Sequence, residues 1–244
     1  MKKRYLIPII VFLLFLCLIA LLNINVSTRQ GTHYKVTRMT IPLYLKVLNF
    51  YDRHYNYKWL AKQITGHLDT REDKILRLFH WTYETIKPQP EGLPIMDSHP
   101  WDVYVRGYGC IDNIHDLFST LCNYIGTDAF FDVLKVTDTE MMLSFVRIKR
   151  GWVAFDPYRG IYFKNHTGGL ATIEEIDEQD CHVVNLKQTS STSIAYYEKY
   201  FDENLPNIIE EIGSGFTRAN LQSPINRLKF QLHRWLSGKG PLLE

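Results

Sequence analysis

Gly107-Tyr108-Gly109-Cys110-Ile111-Asp112 is the stretch that decides the fold. Behind it Ile114, Phe118, Leu121 and Ile125 recur every three or four positions, the spacing of one helix face. Cys110 therefore opens a helix, and Gly126 is suited to close it in a left-handed cap. A thiol at a helix N-terminus lies where partial positive charge favours thiolate, so Cys110 is placed as a nucleophile. Downstream, segments rich in β-formers predict strands at Ala129–Val136, Leu143–Lys149 and Trp152–Phe155, with Lys149-Arg150-Gly151 as a hairpin turn. Asp156-Pro157 ends the third strand. Ile161-Tyr162-Phe163 and Cys181–Leu186 read as further strands, with one helical turn at Ile173–Ile176 between them.

A thiolate that transfers acyl groups needs a base beside it, and that base needs a third group to orient it. Asp156 is the candidate orienting acid, yet the strand Met141-Met142-Leu143-Ser144-Phe145-Val146-Arg147-Ile148 carries no histidine. General acid–base help contributes roughly 10²–10⁴-fold, so amide cleavage or transamidation without it is severely impaired. Asp156 also has a structural alternative, a turn hydrogen bond to backbone amides. Among the other histidines, His115 lies about 140° round the helix from Cys110 and about 7.5 Å along it, a packing or surface position. His99, in the proline-rich loop 88–105, is the best substitute base. His80, His166 and His182 have no positional argument.

Gly-Tyr-Gly-Cys, the helix ending Cys122-Asn123-Tyr124-Ile125-Gly126, the strand after it and the hairpin into Trp152-Val153-Ala154-Phe155-Asp156-Pro157 together resemble the transglutaminase-like superfamily. The resemblance covers roughly residues 72–180. It implies an α+β, papain-like domain in which a nucleophile helix packs on an antiparallel sheet. It also implies that the catalytic nucleophile maps to Cys110 and the catalytic acid to Asp156. The family's histidine falls on Leu143, or on Met142 or Ser144 if the register slips by one.

The chain has 244 residues and a formal net charge of +2, which makes no electrostatic case for nucleic acid. Its 15 Tyr and 13 Phe supply a packed core. Met1-Lys2-Lys3-Arg4 precedes an apolar run from Leu6 to Leu22 with no Ala-x-Ala cleavage site behind it. That pattern predicts an uncleaved transmembrane anchor with a cytoplasmic N-terminus and an extracytoplasmic main domain. Cys110 and Cys122 stand about 18 Å apart along one helix, too far to bridge. No Cys or His spacing suggests zinc, and no cofactor is implied.

Four regions follow: 1–26 as the anchor, 27–71 as a juxtamembrane stalk with one or two helices, 72–190 as the transglutaminase-like domain, and 191–244 as a helical extension. Thr70-Arg71-Glu72-Asp73 is a capping start for a helix to Ile86. Ile194–Phe201 and Leu205–Ile212 read as helices, and Ser223-Pro224 starts a last one, basic and amphipathic, reaching about Leu236. Its apolar face is expected to pack on its own domain. Trp101, Tyr104, Arg106, Tyr108, Trp152, Tyr158 and Arg159 put aromatic and guanidinium groups near the mapped site, suited to a peptide or glycan ligand. The function expected is a catalytically inactive binding or scaffolding subunit of a cell-envelope assembly, with polysaccharide synthesis or export as one setting, a protein partner and the membrane held by the N-terminal helix. The alternative is a weak or rewired cysteine acyltransferase or peptidase using Cys110 and Asp156.

Overall fold

The computed structural model describes residues 3–30, 37–95, 99–136, 139–178, 180–187, 196–197, 200–201, 217 and 219–238. The chain begins with helix α1, Lys3–Leu22, followed by a hairpin of β1, Asn25–Gln30, on β2, Thr37–Pro42. Helix α2 runs from Leu43 to Thr65 and α3 from Arg71 to Thr85. The start of α3 is local chemistry: the Thr70 hydroxyl accepts the Asp73 N–H at 3.1 Å. A two-residue strand β3, Lys87–Pro88, leaves α3. Helix α4, Pro100–Arg106, and a second short strand β4, Tyr108–Gly109, then lead to α5, Ile111–Tyr124. β3 pairs in parallel with β4, which ties the end of α3 to the segment that delivers Cys110.

The main sheet has five antiparallel strands in sequence order: β5, Ala129–Val136; β6, Thr139–Arg147; β7, Trp152–Asp156; β8, Ile161–Asn165; and β9, Cys181–Asn185. Helix α6, Ile173–Asp177, bridges β8 and β9, and α7, Pro224–Leu236, follows a 3-10 turn at Asn220–Gln222. Alternation sorts the sheet into two faces. Val146, Val153, Phe155 and Tyr162 join the core made with α2, α3, α4 and α5. Leu143, Phe145, Ala154, Ile161 and Phe163 face a second core with Ile173, Ile176, Tyr197, Tyr200 and Phe201. The expected mixed α+β arrangement, with helices packed on an antiparallel sheet, is therefore present.

Helix α5 lies between α2, α3 and α4 on one side and the sheet on the other. Every residue from Asp112 to Cys122 is buried, polar ones included. Phe79, Phe118, Phe155 and Tyr162 lock α3 and α5 to β7 and β8, with Phe155 centred 5.2 Å from Phe79 and 5.3 Å from Phe118.

Several expectations are corrected. Among the described residues no helix is long and apolar enough to cross a membrane. This overturns the single-pass anchor, and with it the cytoplasmic N-terminus and extracytoplasmic domain. The apolar run from Leu6 to Leu22 would extend about 25 Å as a helix, short of the roughly 30 Å hydrocarbon core, and Pro8 interrupts it. The stalk is a β1–β2 hairpin, and the loop before Cys110 contains α4, started by Pro100 at its first turn.

The apolar face of helix α7 is left exposed rather than packed as expected. Ile225, Leu228, Leu232, Trp235 and Leu236 are 50–77% exposed, while burial lowers the pKa of Arg227, which lies close enough to Lys46 to depress it as well. The expected helix Leu205–Ile212 and most of Ile194–Phe201 lie outside the described residues.

Candidate functional site

Cys110 is the N-cap residue of α5 in extended backbone geometry, 9% exposed. Its N–H donates to Asn113 Oδ1 at 3.4 Å, and the two residues form a capping box. Arg106 braces this corner: Nη2 donates to Asn113 Oδ1 at 3.1 Å and Nε to the Tyr108 carbonyl at 2.8 Å, with the guanidinium 5.5 Å from the Tyr108 ring centre. Space is tight at Gly109: a Cβ there would stand 3.0 Å from Asn113 and 3.1 Å from Val103, so those side chains would have to shift by a few tenths of an ångström.

The thiol is not activated as its position suggested. Burial raises its pKa, the Asp112 carboxylate adds to that, and Arg106 opposes them without prevailing. The helix N-terminus favours thiolate only by a fraction of a charge, which desolvation and an adjacent carboxylate outweigh. Cys122 is fully buried with its pKa well above the ordinary thiol value, and burial pushes Cys181 up to about 11. All four cysteines are free.

Asp156 ends β7 and opens the turn to β8. The Arg159 N–H donates to its Oδ1 at 2.9 Å and Arg159 Nη1 to its Oδ2 at 2.8 Å. Gly160 closes the turn with φ +73°, donating its N–H to the Asp156 carbonyl at 2.8 Å, and a Cβ there would strike the Tyr83 ring at 2.7 Å. The turn bond weighed for Asp156 from the sequence is thus made.

The carboxylate has a second neighbour, besides Arg159, that sequence reasoning missed. His115 Nε2 stands 3.7 Å from Asp156 Oδ1, too far for a hydrogen bond, with both side chains fully buried. His115 Nδ1 and Ser144 Oγ are hydrogen-bonded at 2.9 Å, and Ser119 Oγ donates to the same oxygen at 3.3 Å. Burial alone would raise the Asp156 pKa, but His115 and Arg159 hold it below the usual carboxylate value.

Alternation decides among the three strand positions considered for a histidine. Leu143 points into the second core, away from α5. Ser144 faces α5 and meets His115 and Ser119. Met142 shares the face of Ser144. Contacts run from Asn123, bonded to the Ala129 carbonyl near the C-terminal end of α5, to His115 beside Ser144, so the next position toward Cys110 is Met142.

The remaining candidates disperse. His99 is the N-cap of α4, its carbonyl accepting the Asp102 N–H at 2.9 Å. His80 packs on Phe79 and Tyr162, His166 pairs with Asp180 at 3.0 Å, and His182 lies opposite Lys164 in the β8–β9 ladder. Trp152 packs edge-on against Phe130 beneath Arg147, whereas Trp101 and Tyr104 pack with Tyr57 and Trp81 among the helices. Tyr158 packs at the edge of the α5-side core. Among the described residues no group of His, Cys, Asp and Glu could hold a metal ion.

No family model matches the chain, and no curated protein matches it. Solved structures similar to the chain at low level include two proteins. A candidate cysteine protease from Cytophaga hutchinsonii is 16% identical with a TM-score of 0.38, covering 53% of this chain and 46% of that one. A candidate protease from Parabacteroides distasonis is 12% identical with a TM-score of 0.37, covering 66% of this chain and 39% of that one. The chain thus spans less than half the length of either, and neither activity transfers to it at this identity.

Proposed function

We propose that this chain is a transglutaminase-like domain without thiol catalysis, acting as a binding or scaffolding protein. The observation that supports this most is the engagement of Asp156 and His115 with each other and with Arg159 and Ser144 inside the protein. The acid that would orient a base holds a turn, and the histidine nearest to it is fully buried between helix and sheet. Cys110 caps α5, and its environment favours the neutral thiol. A neutral thiol is a poor nucleophile, and an amine leaving group would depart without a proton.

The test is turnover of an activated ester and a glutamine-containing peptide by the full chain, beside Cys110→Ser. The expected result is that both proteins turn over at the same background rate. A second reading, a rewired cysteine acyltransferase, draws on one observation: the His115 imidazole lies 3.7 Å from the Asp156 carboxylate. Turnover lost in both Cys110→Ser and a folded His115→Gln would establish that reading and overturn the first.

A further inference from the structure

An open, shallow depression lies between α2, α3 and α4, with about 400 Å³ of space above its floor. Leu60 and Ile64 belong to the buried core beneath it. Its aromatic walls are Trp59, Trp81 and Tyr104. Trp59 is 53% exposed, a large apolar ring left in water at the edge of a concavity. Trp81 and Tyr104 are centred 5.7 Å apart with their planes inclined at 43°, so they present separate surfaces rather than one closed stack.

The polar lining is equally selective. Gln63, His67 and Arg77 converge on the same space, and no lining residue is a carboxylate. Among the described residues no side-chain hydrogen bond engages any of these three. The cleft therefore combines stacking faces, free groups that donate and accept, and one fixed positive charge.

We propose that this cleft binds an acidic saccharide, with a sugar ring stacked on the tryptophans and its carboxylate held by Arg77. The cleft walls are helices whose backbone groups are spent in helical hydrogen bonds, so a peptide main chain finds no strand edge to pair with. A ligand must be gripped by side chains alone. The Gln63 amide presents both donors and an acceptor, and the His67 imidazole adds two ring nitrogens, a set that suits hydroxyl groups. A guanidinium matches a carboxylate through two parallel hydrogen bonds. The apolar C–H face of a pyranose supplies what the indole rings need. None of this depends on whether Cys110 is idle.

The test is calorimetric titration of the full chain with trigalacturonic acid, with maltotriose as the neutral comparator and an acidic proline-rich hexapeptide as the alternative class. The expected result is binding of the acidic trisaccharide about tenfold tighter than the neutral one. Trp59→Ala should weaken both saccharides by about tenfold, and Arg77→Gln should abolish the preference for the acidic one while leaving neutral binding unchanged. Both side chains are exposed, so melting temperature serves as the control for folding. Cys110→Ser should bind as the unsubstituted chain does, keeping this outcome separate from that of the thiol. Absence of saccharide binding, binding indifferent to both substitutions, or binding of the hexapeptide instead would overturn the proposal.

Discussion

Asp156→Ala is expected to lower the unfolding free energy by about 3 kcal/mol, the lower end of the range for breaking a buried charge pair. The substitution strands two partners at once. His115 Nε2 loses the carboxylate facing it in a fully buried site, and Arg159 loses both its backbone and its guanidinium acceptor. Arg159 is partly exposed, so water recovers some of its loss, which keeps the figure from the upper end. For a chain of this length the melting temperature should fall by about 6–12 °C. Asp156→Asn keeps the turn acceptor and should lose about half as much. The same carboxylate links stability to pH. Its folded-state pKa lies below the unfolded value of about 3.9, so its contribution is fully present above that value and is lost as the pH falls through the folded one. The acid limb of a denaturation profile should therefore flatten in Asp156→Asn. An unchanged melting temperature in Asp156→Ala would show that the carboxylate is not spent on the fold.

Phe155→Ala should cost about 3–5 kcal/mol, as expected for deleting a fully buried aromatic side chain. Phe155 is the residue of β7 that meets Phe79 from α3, Phe118 from α5 and Tyr162 from β8. It also pairs in register with Ser144, the residue that receives His115. The cavity therefore opens beneath the helix that carries both Cys110 and His115. Chemical denaturation gives the stability change, and the near-ultraviolet spectrum should report looser aromatic packing. Phe155→Leu fills most of the space and should lose less than half as much. A loss below about 1 kcal/mol in Phe155→Ala would mean that the helix is fastened elsewhere.

Much of the fold is legible because its signals are local. The Thr70 cap, the Cys110–Gly126 helix, the strands of the main sheet and the Ser223-Pro224 start each occupy a few consecutive residues. The β1–β2 hairpin is not legible, since its strands Asn25–Gln30 and Thr37–Pro42 are largely polar and carry little period-two pattern. Helix α4 has only seven residues, too few for a helical period to emerge from a proline-rich loop.

The positions of Cys110 and Asp156 in the fold were legible, and that of His115 was hidden. Cys110 at a helix N-terminus and Asp156 at a strand end follow from the motifs. The angle between His115 and Cys110 on a helical wheel is sound, yet it says nothing of what the far side of the helix touches. Helix α5 is buried all round, so its second face is also interior, and Asp112, His115 and Ser119 mark it as a polar stripe. That stripe was the available signal. Polar residues at helical spacing opposite an apolar face ordinarily mean solvent, and only the packing of α2, α3 and the sheet around α5 makes them a buried network.

The most direct test is the rate of alkylation of Cys110 by iodoacetamide as a function of pH, with Cys110→Ser subtracting the exposed Cys17 and the other thiols. The expected result is a slow reaction whose inflection lies above the ordinary thiol value, because burial and Asp112 disfavour the thiolate. A fast reaction with an inflection well below about 8.5 would contradict it, showing a stabilised thiolate and a site built for acyl transfer.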